Sequence, residues 1–264
     1  MYCRLGRRSL GAIGGILLVV GAPAAHATNF KISSTRIDPK VGGLSGTIHD
    51  TYKSGHHTQT LTQSAEVGRL ELKGTSDGQS VLIDSYCADI FDTLGTGTFS
   101  SASLTTLDLS STKLTQLSTF LENADTLVSN ASSSTRSTYS AAAQLGVWEI
   151  LNETGSRYDV TSGSFYVTGS ALTSSSWHQS SATQVANTWL GDVTNSVWKP
   201  VPGAELSVIT ALHNQTQIFV THHASSPPPD SPVPEPASWT TMIAGFGLIG
   251  AILRRQRLAK LARS

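Results

Sequence analysis

The sequence holds only two cysteines, and one of them, Cys3, lies in a segment that reads as a cleaved leader. Cys87, in Ser85-Tyr86-Cys87-Ala88-Asp89, is then the single thiol of an exported protein and has no partner for an internal disulfide. Such a thiol is buried and inert, paired between chains, or committed to other chemistry. Positive charge is scarce too. Over Thr28–Leu253 ten basic residues stand against 18 acidic ones, although the whole chain sums to zero. That excess repels nucleic-acid phosphates, and no basic stripe with interleaved aromatics offsets it, so nucleic acid is not expected as a partner. Metal-ligand spacing is missing as well. His56-His57 and His222-His223 are flanked by polar residues, with no Cys or carboxylate placed to complete a site. Asp84, Asp89 and Asp92 lack the glycine and terminal glutamate of a calcium loop and read as a polar strand edge. No metal or other cofactor is expected. A Cys-His hydrolase built on Cys87 has no local nucleophile signature and stands as a lesser alternative.

Long apolar runs occur only at the two ends. Arg4, Arg7 and Arg8 precede Leu10–Ala22, and Ala25-His26-Ala27 follows. This is the order of a signal peptide, with cleavage expected after Ala27. The general secretory route is the default, and Arg7-Arg8 also raises the twin-arginine route. Near the other end, Ser225–Pro232 is a stiff, polyproline-like spacer. Ala237–Leu253 then supplies 17 residues, at the short end for a membrane span. Trp239 suits one interface and Arg254-Arg255 the cytoplasmic one. Gly245, Gly247 and Gly250 would let another helix approach closely. The expected plan is a signal peptide at 1–27, a body at 28–225, a spacer at 226–233, a sorting segment at 234–257 with its membrane part at 237–253, and a basic tail at 258–264.

Pro234-Glu235-Pro236, a short Gly-rich membrane segment and an arginine cluster, in that order, resemble the PEP-CTERM sorting signal. Pro234-Glu235-Pro236-Ala237-Ser238-Trp239 with Gly245-Phe246-Gly247 is similar to its Trp-containing subtype. The resemblance implies processing near Pro-Glu-Pro by a membrane-embedded exosortase, in a Gram-negative host making extracellular polysaccharide. It also implies transient inner-membrane insertion, then a place at the cell surface or outside the cell. A permanent one-pass anchor is the alternative.

In the body, Arg69–Lys73 alternates polar and apolar as a half-buried strand does. Gly74–Gly78 reads as a turn. Val81–Phe91 reads as a strand covered on both faces, with Cys87 on it or at its end. Thr93–Thr112 reads as a Gly/Ser/Thr linker. Leu114, Leu117, Leu121, Ala124 and Val128 space an amphipathic helix. Thr138–Leu151 is rich in helix formers, with Gly155 available for a left-handed cap. A strand at Phe165–Val167, a third helix around Ala182–Val193, and strands at Glu205–Leu212 and Gln217–Thr221 complete the reading. The fold class is α+β: one extracellular domain with a mostly antiparallel sheet or sandwich and an inserted helical part.

One helix residue is out of place. Gln144 has Ala141, Val147, Trp148 and Leu151 at i−3, i+3, i+4 and i+7, so its amide lies within an apolar stripe. A buried amide without partners costs roughly 1–3 kcal/mol, so Gln144 is expected to be hydrogen-bonded or chemically altered. Gly146, a poor helix former, suggests close approach of a neighbouring strand. The Cys87 thiolate attacking the Gln144 side-chain carbonyl would expel ammonia and leave an internal thioester. The bland alternative is a core cysteine near a hydrogen-bonded glutamine. Tyr86-Cys87-Ala88-Asp89 and Ala143-Gln144-Leu145-Gly146-Val147-Trp148 resemble the paired motifs of bacterial thioester domains, which serve covalent surface adhesins. The resemblance implies a Cys87–Gln144 cross-link, with Tyr86, Asp89 and Trp148 as shielding or supporting residues. It also implies capture of surface or matrix amines or hydroxyls, polysaccharide included. Such a thioester would form itself and react once, so a turnover enzyme is not expected. A non-covalent structural protein of the matrix is the second reading.

Overall fold

The computed structural model describes residues 28–54, 57–175 and 179–222. The expected signal peptide, spacer and sorting segment lie outside the described residues. Nine strands and four α-helices are described. They run β1 (Asn29–Ile37), β2 (Gly43–Ser54), β3 (His57–Gly68), β4 (Leu70–Ser76), β5 (Gln79–Cys87), β6 (Gly97–Ala102), α1 (Ser111–Ser129), α2 (Arg136–Asn152), β7 (Phe165–Thr168), α3 (Ser170–Thr173), α4 (Ala182–Thr194), β8 (Ala204–Thr210) and β9 (Gln217–His222). Helix and strand are mixed, and the strand pairs are antiparallel.

Six strands close a barrel in the order β1-β4-β5-β9-β8-β6, and β3-β2-β7 form a separate sheet. The antiparallel pairing is as expected; the closed barrel replaces the sandwich alternative. It closes because β5 meets β9 through Tyr86 and Cys87 at one edge, while β6 bridges β1 and β8 at the other. The strand β6 and a short 3₁₀ turn at Leu104–Leu107 occupy what reads in sequence as a linker. Phe99 is the buried anchor of β6. The expected turn at Gly74–Gly78 shrinks to Asp77-Gly78. Both residues have positive φ, 50° and 78°, in a two-residue hairpin whose flanks Ser76 and Gln79 pair directly.

The helices follow their sequence signals more closely. Ser110 caps α1 by accepting from the Lys113 N–H, and Ser181 with Gln184 forms a capping box on α4. Helix α2 is buried at every position from Ser140 to Ile150, so it is apolar nearly all round rather than amphipathic. It packs against α1, α4, β2, β3, β5 and β7, which makes it the hub joining the barrel to the second sheet. Its end differs from expectation. The C-cap is Glu153 in extended conformation, and Gly155 is not among the positive-φ residues. The Glu153 carboxylate instead accepts from the Gly155 and Ser164 N–H groups. Gly146 does meet a close neighbour, but that neighbour is helix α1 rather than a strand. A Cβ there would overlap the Phe120 ring.

Candidate functional site

Strand β5 outruns its neighbour. Its pairing with β4 ends at Leu70 opposite Ser85, so Tyr86 and Cys87 extend beyond it. On the other side, Ala88 N–H donates to Thr216 O, and Cys87 lies directly opposite Gln217 on β9. The backbone N–H and C=O of Cys87 are thus left without a strand partner at a buried position. An orphaned buried pair is costly, and something must fill the gap.

Gln144 fills it. The Cys87 N–H donates to Gln144 Oε1 at 2.9 Å, and Gln144 Nε2 donates to Cys87 O at 2.9 Å. One side-chain amide stands in for a strand residue. This is why helix α2 tolerates a glutamine that is only 1% exposed. The two residues, 57 apart in sequence, meet through these two hydrogen bonds between the Gln144 amide and the Cys87 backbone.

The thiol itself touches other amides. Cys87 Sγ donates to Gln215 Oε1 at 2.8 Å, and Gln217 Nε2 donates to Cys87 Sγ at 3.5 Å. Ser85 Oγ donates to Gln217 Oε1 at 3.0 Å and so orients that amide. Burial pushes the thiol up to about 12, with the Gln217 hydrogen bond acting against the rise and the Asp89 carboxylate adding to it. Near neutral pH the sulfur is protonated.

The Cys87 side chain faces a cavity of about 480 Å³. Ile37, Ile48, Ile90, Leu94 and Trp148 supply apolar lining, Arg36, Gln63 and Glu66 polar lining, and Gln215 lies beside the sulfur. Trp148 is buried, and its indole N–H has no partner among the described residues. Tyr86 lies elsewhere. Successive strand residues point to opposite faces, and the Tyr86 hydroxyl donates to Asp125 Oδ1 at 2.9 Å on helix α1. It is fully buried but does not line the Cys87 cavity. Asp89 caps the loop after β5, accepting from the Phe91 N–H at 2.7 Å.

Two residues beside the sulfur, Gln215 and Gln217, and Ser85 behind Gln217 escaped sequence reading. Gln217 carried a faint signal, a polar residue sharing a strand face with Phe219. Gln215 carried none, lying between the strands expected at Glu205–Leu212 and Gln217–Thr221. Among the described residues no group of histidines, cysteines and carboxylates could hold a metal ion. His57 and His222 are exposed, and His56 and His223 lie outside the described residues.

The PEP-CTERM protein-sorting motif matches residues 232–257. That span contains Pro234, Glu235, Pro236, Trp239, Gly245, Arg254 and Arg255. The chain is therefore an exported protein sorted toward the cell surface, with an exosortase as its processing partner. No curated protein and no solved structure matches it. No helix among the described residues is long and apolar enough to cross a membrane, and 237–253 is not among them.

Proposed function

We propose that the body displays an internal thioester between Cys87 and Gln144, and that the exported protein uses it to attach covalently to an amine or hydroxyl at a cell surface or in the matrix. The observation that carries this reading is the paired hydrogen bond between the Gln144 amide and the Cys87 backbone. It holds the amide carbonyl against the residue that bears the thiol. It also sets the Cys87 N–H on the carbonyl oxygen, where negative charge develops when sulfur adds. In the reaction the Sγ–Cδ bond forms and the Cδ–Nε2 bond breaks. The thiol proton leaves with Nε2, and the products are the thioester and ammonia. The cavity beside Cys87, of mixed polar and apolar lining, supports the reading in one way: it leaves room for an incoming nucleophile next to the sulfur. The Trp-containing form of the sorting signal and transient membrane insertion through 237–253 belong to the same proposal.

A second reading has its own support. The Gln144 amide is hydrogen-bonded at both ends and the thiol is raised to about 12, as in a structural protein whose cysteine is inert. A thiol hydrolase has less behind it, since the hydrogen-bond partners described for the sulfur are amides, which accept no proton at neutral pH. Intact mass of the mature protein separates the readings. The thioester form is lighter by one ammonia, and Cys87→Ala restores the full mass expected for its sequence. A full-mass protein with a free thiol supports the structural reading. Ester or peptide turnover abolished by Cys87→Ala supports the hydrolase.

A further inference from the structure

Gln217 is fully buried at the first position of β9, where a polar side chain needs a reason. Its two ends are both spoken for. Ser85, itself fully buried and two residues before Cys87 on the same strand face, donates to Gln217 Oε1. Gln217 Nε2 is thereby turned toward Cys87 Sγ. The thiol proton is directed elsewhere, onto Gln215 Oε1, so the sulfur meets Gln217 as an acceptor. Cys87 and Gln217 face each other across β5 and β9, and the contact is built into the barrel register.

We propose that Gln217, held in one orientation by Ser85, is a positioning residue for the Cys87 sulfur, its N–H bearing on the negative charge that sulfur acquires during reaction. The proposal rests on the Cys87–Gln144 thioester for its role in the chain, although the effect on the thiol exists with or without that bond. When the thioester forms, sulfur gives up its proton as the Sγ–Cδ bond is made. When an amine opens it, nitrogen bonds to Cδ, the Cδ–Sγ electron pair returns to sulfur, and the amine proton ends on sulfur or water. Charge builds on sulfur in both directions, and a neutral amide N–H favours it without introducing a buried cation. Asp89 opposes the same charge from the loop beyond the strand.

The test uses the mature full chain after treatment with methylamine, which leaves Cys87 free whether or not a thioester had formed. The rate of alkylation by iodoacetamide at pH 8 then reports the thiolate fraction. Gln217→Met is expected to slow alkylation about tenfold, the size of one lost hydrogen bond to a charged group. Ser85→Ala leaves access to the sulfur unchanged but frees the Gln217 amide to turn, and is expected to slow alkylation about threefold. The double variant, which leaves neither partner unpaired, is expected to match Gln217→Met. Wild-type alkylation rates in a folded Gln217→Met protein would overturn the proposal. If that variant does not fold, a wild-type rate in Ser85→Ala overturns it instead. Mass before methylamine treatment reports separately on the thioester, so the two claims fail independently.

Discussion

Tyr86 and Cys87 are neighbours on one strand and enter two opposite kinds of surroundings. On the Tyr86 face the contacts are ionic. Arg69, 4% exposed, donates to Asp38 through Nε and Nη2 at 3.0 and 2.7 Å, and to Asp125 and Ser129 through Nη1 at 3.1 and 2.9 Å. Asp125 also accepts from Tyr86. This network ties the β1–β2 connection, the β3–β4 link, β5 and α1 together. Around Cys87 the hydrogen-bonding groups are three glutamine amides and a serine, all neutral, and the Asp89 carboxylate bears on the thiol from the loop after the strand. Charges in place of those amides would either trap the thiolate or repel it. Amides orient the groups while leaving the sulfur and the carbonyl free to exchange bonds. One face is suited to holding the barrel on its helices, the other, under the proposed function, to a reaction.

The contrast is sharpest if the ionic face is broken first. Arg69→Met strands Asp38, which is fully buried, and removing one partner of a buried pair costs about 3–5 kcal/mol. Thermal unfolding should show a large fall in Tm with no change in the mass of any thioester that still forms. On the neutral face the outcome depends on the covalent state. A Cys87–Gln144 bond closes a loop of 57 residues, for which chain entropy alone gives roughly 4 kcal/mol. Opening it with methylamine should then lower the midpoint of chemical denaturation strongly. Without the bond, methylamine should do nothing, and Cys87→Ala should cost about 1 kcal/mol, as an ordinary substitution does. Gly146→Ala tests the frame that carries Gln144. Its methyl group would force Phe120 aside, at about 1–3 kcal/mol, and should reduce the yield of thioester as well as Tm.

A pH-dependent effect lies at the far end of α2, where Glu149, Glu153 and Asp159 gather with Lys113 as the cation that bears on Glu149 and Glu153. Glu149 is fully buried with Oε2 unpartnered, and burial, with Glu153 and Asp159 nearby, raises it to about 8. Asp50 is raised by burial and Glu153 to about 6. Both folded values lie above the unfolded ones, so the folded state binds more protons. Their stabilising contribution is full in acid and is lost as pH rises, between about 4 and 6 for Asp50 and up to about 8 for Glu149. Glu149→Gln should flatten the decline of Tm between pH 5 and pH 8 and raise Tm at pH 8. A Tm that falls equally steeply in the variant would count against the assignment.

Three of the helices were legible in sequence because apolar spacing and helix-forming composition are local; the four-residue α3 was not. The barrel was not. Strands β2 and β3 run twelve residues each through Gly-, Ser- and Thr-rich sequence, and their pairing with each other is a long-range fact. Strand β6 hid in an apparent linker for the same reason. Gln144 was legible as an anomaly, since an amide in an apolar helical stripe breaks a local rule. Its partner groups were not, because the unpaired Cys87 backbone exists only where β4 stops short of β5. The side of the strand taken by Tyr86 was misjudged for want of alternation. Near its end β5 is buried on both faces, so hydrophobicity does not say which face looks toward Cys87.

The central claim is that the neutral face carries out a bond exchange between Cys87 and Gln144. Intact mass of the mature, untreated protein tests it most directly. The account predicts a mass one ammonia below that of the sequence, restored to full value in Cys87→Ala and replaced by a methylamine adduct on treatment. A mature protein at full mass, with Cys87 free to alkylate and no methylamine adduct, would contradict it.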